Sequence, residues 1–184
     1  MYKFTFNTIL RYALIAGVFL VPFIPFYVAK DMFFPFIVGK NFAFRILVEL
    51  LLGGWLILAW RDARYRPRFS WILAAYALFL GVTLVADIFG ENIFRSFWSN
   101  FERMDGFVGY LHFFAYFLIV GSVLHTEKLW ERFFQTTLGA SVLMAIYSFF
   151  QLAGFIVINQ GGARIDATLG NAAYLALYAL FHIF

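Results

Sequence analysis

Cysteine is absent from all 184 residues, which excludes disulfides, thiolate chemistry and cysteine-based metal sites. Histidine is nearly as scarce. His112, His125 and His182 have no pair at metal-ligand spacing, so neither a metal nor a cofactor is expected. No Gly-x-Ser-x-Gly elbow, P-loop or dinucleotide fingerprint occurs, which removes the chemistries those loops serve. The most telling shortage is charge. Only 13% of residues are Asp, Glu, Lys or Arg, about half of what a soluble domain carries.

What fills the chain instead is apolar: 64% hydrophobic residues and a mean hydropathy of +0.83. The hydrophobicity comes in long blocks separated by short charged loops, the pattern of membrane spans. The expected fold is all-α: a polytopic membrane protein with five complete transmembrane helices and a truncated sixth, forming one transmembrane domain over residues 1–184. The 27 Phe, 10 Tyr and 5 Trp follow the apolar blocks rather than basic stripes, and the net charge is only +4, so nucleic acid is not an expected partner. The lipid bilayer is.

The first span is expected over residues 12–29, long for a signal peptide and without a small-x-small cleavage site. Pro22 and Pro25 should kink its outer half, because each lacks a backbone donor. An interfacial loop follows over 30–40, then a second span over 42–60. There Arg45 and Glu49 share a helix face, and Gly53 and Gly54 leave room for a close helix contact. The third span covers 71–89. Residues 91–105 place Phe94, Phe97, Trp98 and Phe101 on one side, which predicts an amphipathic helix lying in the membrane surface as an anchor or gate. The fourth and fifth spans are expected over 107–124 and 133–158. A polar loop, Gly161 to Asn171, precedes the last apolar run from Ala172. That run reaches Phe184 short of the roughly 20 residues a span needs, so the chain is expected to be the amino-terminal part of a longer protein.

Positive charge sets the expected orientation. With the amino terminus cytoplasmic, that side holds Lys3, Arg11, Arg61, Arg64, Arg66, Arg68, Lys128 and Arg132 against Asp62, Glu127 and Glu131 alone. The positive-inside rule then puts the 159–171 loop outside, and Trp60, Trp71, Trp98 and Trp130 fall at predicted membrane boundaries.

Charged side chains in the outer half are the chemical clues. Arg or Asp at a helix centre costs on the order of 2.5–3.5 kcal/mol, so such residues usually face a cavity or a partner. Arg45 therefore either lines an outward pocket or pairs with Glu49 and snorkels. Arg164 either pairs with Asp166 or lipid headgroups, or meets an anionic ligand that Gly161, Gly162 and Gly170 let approach the backbone. Asn171 stands where an N-cap would start the last helix and leave backbone donors facing such an anion. His112 reads as a hydrogen-bonded core residue before it reads as a base.

The stretch from Arg164 through Leu169-Gly170-Asn171 to Leu175-Ala176 resembles the "R…GN…LA" segment of the bacterial O-antigen ligase and O-antigen polymerase superfamily. Residues 35–45 and 98–106 are similar to the amino-terminal half of its ligase-like members. Ala172-Ala173 depart from the Pro-Asn found in many of them. The resemblance implies a metal-independent glycosyltransferase of the GT-C type in the bacterial inner membrane. It would move a glycan from an undecaprenyl-pyrophosphate carrier to an acceptor on the outer face: lipid A-core, a growing glycan or a protein. By the same resemblance Arg164 would contact the donor pyrophosphate, with Arg103 and Arg45 as further contacts. The family's large external loop, with its further Arg and His residues, has no counterpart here, so the chain alone is expected to be inactive and no general base is nominated. The residue chemistry leaves two other classes open. A transporter or flippase fragment would line a path with Arg45, Glu49 and Asp87, and a membrane scaffold would have no site.

Overall fold

The computed structural model describes residues 5–100, 103, 105–159 and 163–183. These form seven α-helices: α1 (Phe6–Leu20), α2 (Val38–Arg61), α3 (Trp71–Ile88), α4 (Ile93–Trp98), α5 (Phe107–Val123), α6 (Glu127–Leu152) and α7 (Ala172–Ile183). No strand occurs among the described residues. Four helical stretches are long and apolar enough to cross a membrane: Phe6–Phe26, Val38–Arg61, Trp71–Ile88 and Glu127–Leu152. The expected fourth span is the 17-residue α5, and the last run is the 12-residue α7. Both fall short of that length. The chain divides into two compact units: Met1–Val18 with Asn41–His125, and Phe19–Lys40 with Thr126–Phe184.

In the first unit, small residues bring α1 and α2 together. Gly17 lies against the Leu51 side chain, and Gly54 faces Leu14 and Leu10, while Gly53 meets open space. Only one of the two adjacent glycines thus makes the expected contact. Pro22 has no N–H to give the Val18 carbonyl one turn back, and the Tyr116 hydroxyl takes that place at 3.4 Å. Beyond Leu20 the backbone tightens into a 3-10 helix, Val21–Phe26, which is the form the expected proline distortion takes.

The basic loop after α2 folds back on its own helix. Arg66 Nε donates to Ala59 O at 3.1 Å, and Trp55 Nε1 donates to Tyr65 O at 3.0 Å. Trp60 and Trp71 flank this loop at 86% and 82% exposure, as residues of an interfacial belt would be. The Ser70 hydroxyl accepts from Leu73 N and starts α3. An aromatic ladder joins α3 to α5, with Tyr76 against Phe114 and Phe117 and Phe79 against Tyr110.

The amphipathic helix expected over 91–105 is corrected to the six residues of α4. Asn92 caps its start, but Ser99 takes φ +58° and turns the chain back. Gly106 then lies so close to the Phe97 carbonyl that a Cβ there would collide with it. A continuous helix would hold those two residues about 13 Å apart, at 1.5 Å per residue. Phe101 and Glu102 of the expected helix lie outside the described residues.

In the second unit, α6 begins earlier than the expected 133 because Thr126 caps it, its hydroxyl accepting from Leu129 N. It also ends before 158. Gly154 at φ +79° closes a Schellman motif: Phe155 N donates to Phe150 O at 3.0 Å and Gly154 N to Gln151 O at 3.1 Å. The accompanying apolar contact is the edge-to-face pair Phe150–Phe155.

Candidate functional site

Two polar places stand out, one in each unit. In the second unit the 163–171 segment is held by Gln151, an amide in the last turn of α6 that is 3% exposed. Its Oε1 accepts from Asp166 N at 3.2 Å and Ala167 N at 2.7 Å, and its Nε2 donates to Asp166 Oδ1 at 2.8 Å and Val157 O at 3.1 Å. That clamp holds Ala167 at φ +47° although it has a side chain. Asn159 Nδ2 adds a bond to Ala167 O, and Thr168 Oγ1 donates to Pro25 O at 2.8 Å. Lys40 reaches in with its ammonium, donating to Thr168 O at 2.7 Å and Phe36 O at 2.8 Å. Gly170 sits at φ +67° against the Phe36 ring, where any side chain would clash.

This arrangement separates Arg164 from Asp166. Asp166 turns inward to 2% exposure, and its Oδ2 finds no partner among the described residues. Arg164 is exposed, and no ion pair or hydrogen bond reaches its guanidinium among the described residues. The Arg164–Asp166 pair, one of the two expectations for this arginine, is therefore not formed. Asn171 caps α7 as expected, its Oδ1 accepting from Ala173 N at 2.8 Å. Gly161 and Gly162 lie outside the described residues. Next to Arg164, Ile165 lines an apolar groove of about 350 Å³ along α6 and α7, with Met144, Leu175 and Tyr178 among its walls and His182 at one end.

In the first unit, Arg45 is 8% exposed and lines a cavity of about 260 Å³ together with Asn41, Asp105, Tyr110 and His112. Asn41 ties Arg103 and Asp105 to α2, donating to Arg103 O at 2.8 Å and Asp105 Oδ1 at 3.4 Å. Arg103 itself is half-buried. Glu49, which one reading pairs with Arg45, stands 3.1 Å from His112 Nε2 and also attracts the Arg45 guanidinium through its charge. The fold thus brings Arg45, Asp105 and His112 to one cavity, while Arg164 and Asn171 mark the two ends of the second unit's loop.

Residue chemistry alone missed Gln151, Lys40 and the His112–Glu49 pair. Each carried the same signal, an isolated polar group inside or at the edge of a membrane-length apolar run, where it needs a partner. Comparison with protein-family models, curated proteins and solved structures returns no match.

Proposed function

We propose that the chain belongs to a membrane glycan transferase of O-antigen ligase type, which takes a glycan from an undecaprenyl-pyrophosphate carrier on the outer face of the bacterial inner membrane. The acceptor is lipid A-core, a growing glycan or a protein. In this reading α5 and α7 join the four longer helical stretches as the remaining spans of a five-plus-one bundle. The amino terminus is cytoplasmic and the 159–171 loop external.

One observation carries the reading: Arg164, exposed and without an ion-pair partner among the described residues, adjoins Ile165, which lines the apolar groove along α6 and α7. A cation beside an apolar trough suits a ligand with a charged head and a long hydrocarbon tail. The guanidinium fork matches pyrophosphate oxygens and stabilises them as negative charge develops on the leaving group, work that a metal ion performs elsewhere. The inward turn of Asp166 supports the same reading, because it removes the one neighbouring carboxylate that would neutralise Arg164.

The test is binding of undecaprenyl pyrophosphate to the chain in nanodiscs. Arg164→Ala should weaken binding tenfold or more, a loss of about 1.4 kcal/mol per decade. Arg164→Lys should recover only part of it, since a point charge cannot reproduce the bidentate fork. Unchanged affinity in both variants overturns the assignment. Orientation is checked separately. Because the chain has no cysteine, Ala163→Cys is a unique reporter, and labelling by an impermeant reagent from the cytoplasmic side would reverse the topology.

A further inference from the structure

The cavity of the first unit adjoins a hydrogen-bond pattern that only an extra proton can satisfy. His112 Nδ1 lies 2.7 Å from Val108 O, one turn back on α5. A carbonyl oxygen can only accept, so Nδ1 carries a hydrogen. In a neutral imidazole the other nitrogen, Nε2, then presents a lone pair. Facing it at 3.1 Å is Glu49 Oε1. An ionised carboxylate is also an acceptor only, so two lone pairs would confront each other at hydrogen-bonding distance. The contact becomes attractive when one proton lies between the two atoms, whether it resides on the imidazole or on the carboxyl.

The position of Glu49 bears on the same contact. It sits halfway along the 24-residue α2, and its side chain is 66% exposed. Halfway along a spanning helix a carboxylate is costly unless charged or hydrogen-bonding side chains meet it, and here Arg45 and His112 do. With the shared proton, Glu49 and His112 are neutral as a unit. The contact is fixed by the packing of α2 on α5, where Phe44 meets the rings of Phe113 and Tyr116.

We propose that Glu49 and His112 form an intramembrane proton-binding site that opens on the Arg45 cavity. The bound proton lies between Oε1 and Nε2, and on release it passes to water in the cavity that His112 lines. Release leaves one negative charge on the pair. Arg45, one turn before Glu49 on α2, and Asp105 are the charged side chains that line that cavity. Tyr110 lines the same cavity and Tyr116 follows one turn after His112 on α5, while Tyr76 and Asp87 lie on α3, which packs on α5. The proton thus sets the charge of the cavity that Arg45 and Asp105 line. The inference does not depend on glycan transfer.

Nitrogen-15 NMR of the histidine-labelled chain in nanodiscs tests it, with His112 assigned by the signals lost in His112→Gln. At neutral pH, Nδ1 should appear as an N–H and Nε2 as a nitrogen that carries or shares a proton. In Glu49→Ala, Nε2 should revert to a bare acceptor. In Glu49→Gln, whose amide donates a hydrogen bond without ionising, Nε2 should become a neutral, hydrogen-bonded acceptor and cease to follow the wild-type titration. A bare Nε2 in the wild-type chain, the opposite tautomer, or a titration identical in wild type and Glu49→Gln overturns the proposal. The wild-type spectrum decides the first two points even if a variant fails to fold.

Discussion

The two units use their polar side chains in different ways. In the second, Gln151, Lys40, Asn159 and Thr168 bond mainly to backbone groups, so that an irregular loop can be buried with its carbonyls and amides satisfied. Among the described residues of that loop, Arg164 is the cation that points outward. In the first, Asn41 and His112 also bond backbone carbonyls, but each reaches an acid as well: Asn41 meets Asp105 and His112 meets Glu49 through side chains. Polar groups that serve the backbone build a scaffold. Polar groups that serve one another are free to change charge.

That contrast predicts unequal costs. Gln151→Leu should be the most damaging substitution, because it leaves two buried amide donors and a carbonyl unmatched and Asp166 Oδ1 with only the 3.4 Å bond from Asn159. A loss of roughly 4 kcal/mol or more is expected, read as a lower thermal midpoint in detergent and faster tryptic cleavage at Arg164. Gly170→Ala comes next at roughly 2–4 kcal/mol, since the added methyl meets both a left-handed backbone and the Phe36 ring. Asn41→Ala should cost only about 1 kcal/mol by the same measurement, because Asp105 is exposed and keeps access to water. If it proves as costly as Gln151→Leu, the distinction between scaffold and site fails.

The smallest effect belongs to Asp62→Asn. The Arg64 side chain donates to Asp62 Oδ2 at 2.7 Å and holds its carboxyl below the ordinary carboxylate range. Its contribution is present above the usual carboxylate value of about 4 and is lost as pH falls through the lower folded value. Arg64 is 81% exposed, so water and salt screen the pair. Acid titration of the variant and the parent should nearly coincide, which makes this pair the baseline against which the buried groups are read.

The helices were legible wherever an apolar run met a capping residue. The third span and α3 differ by one residue because Ser70 marks its start. Legibility failed where the chain reverses. The heptad-like spacing of Phe94, Phe97, Trp98 and Phe101 predicts a long surface helix, yet Ser99 and Gly106 fold the chain back after six residues. Likewise α6 stops at a glycine whose left-handed conformation hydropathy does not register. At the candidate sites, Arg45, Arg164 and Asn171 were noticeable as polar residues in apolar surroundings, but their partners were not. Proximity in sequence pairs Arg45 with Glu49 and Arg164 with Asp166. The fold turns Asp166 inward, and it gives Glu49 a second partner in His112.

Composition and patterning alone were enough to establish an all-helical, membrane-length architecture, because burying backbone in hydrocarbon leaves helices as the natural solution for such runs. They also located the polar interruptions. Which polar group meets which depended on packing across long stretches of chain: Lys40 to Thr168, Asn41 to Asp105, Glu49 to His112. Hydrogen-bond partners are chosen by distance in space, within about 3 Å, and a sequence specifies that only through its fold.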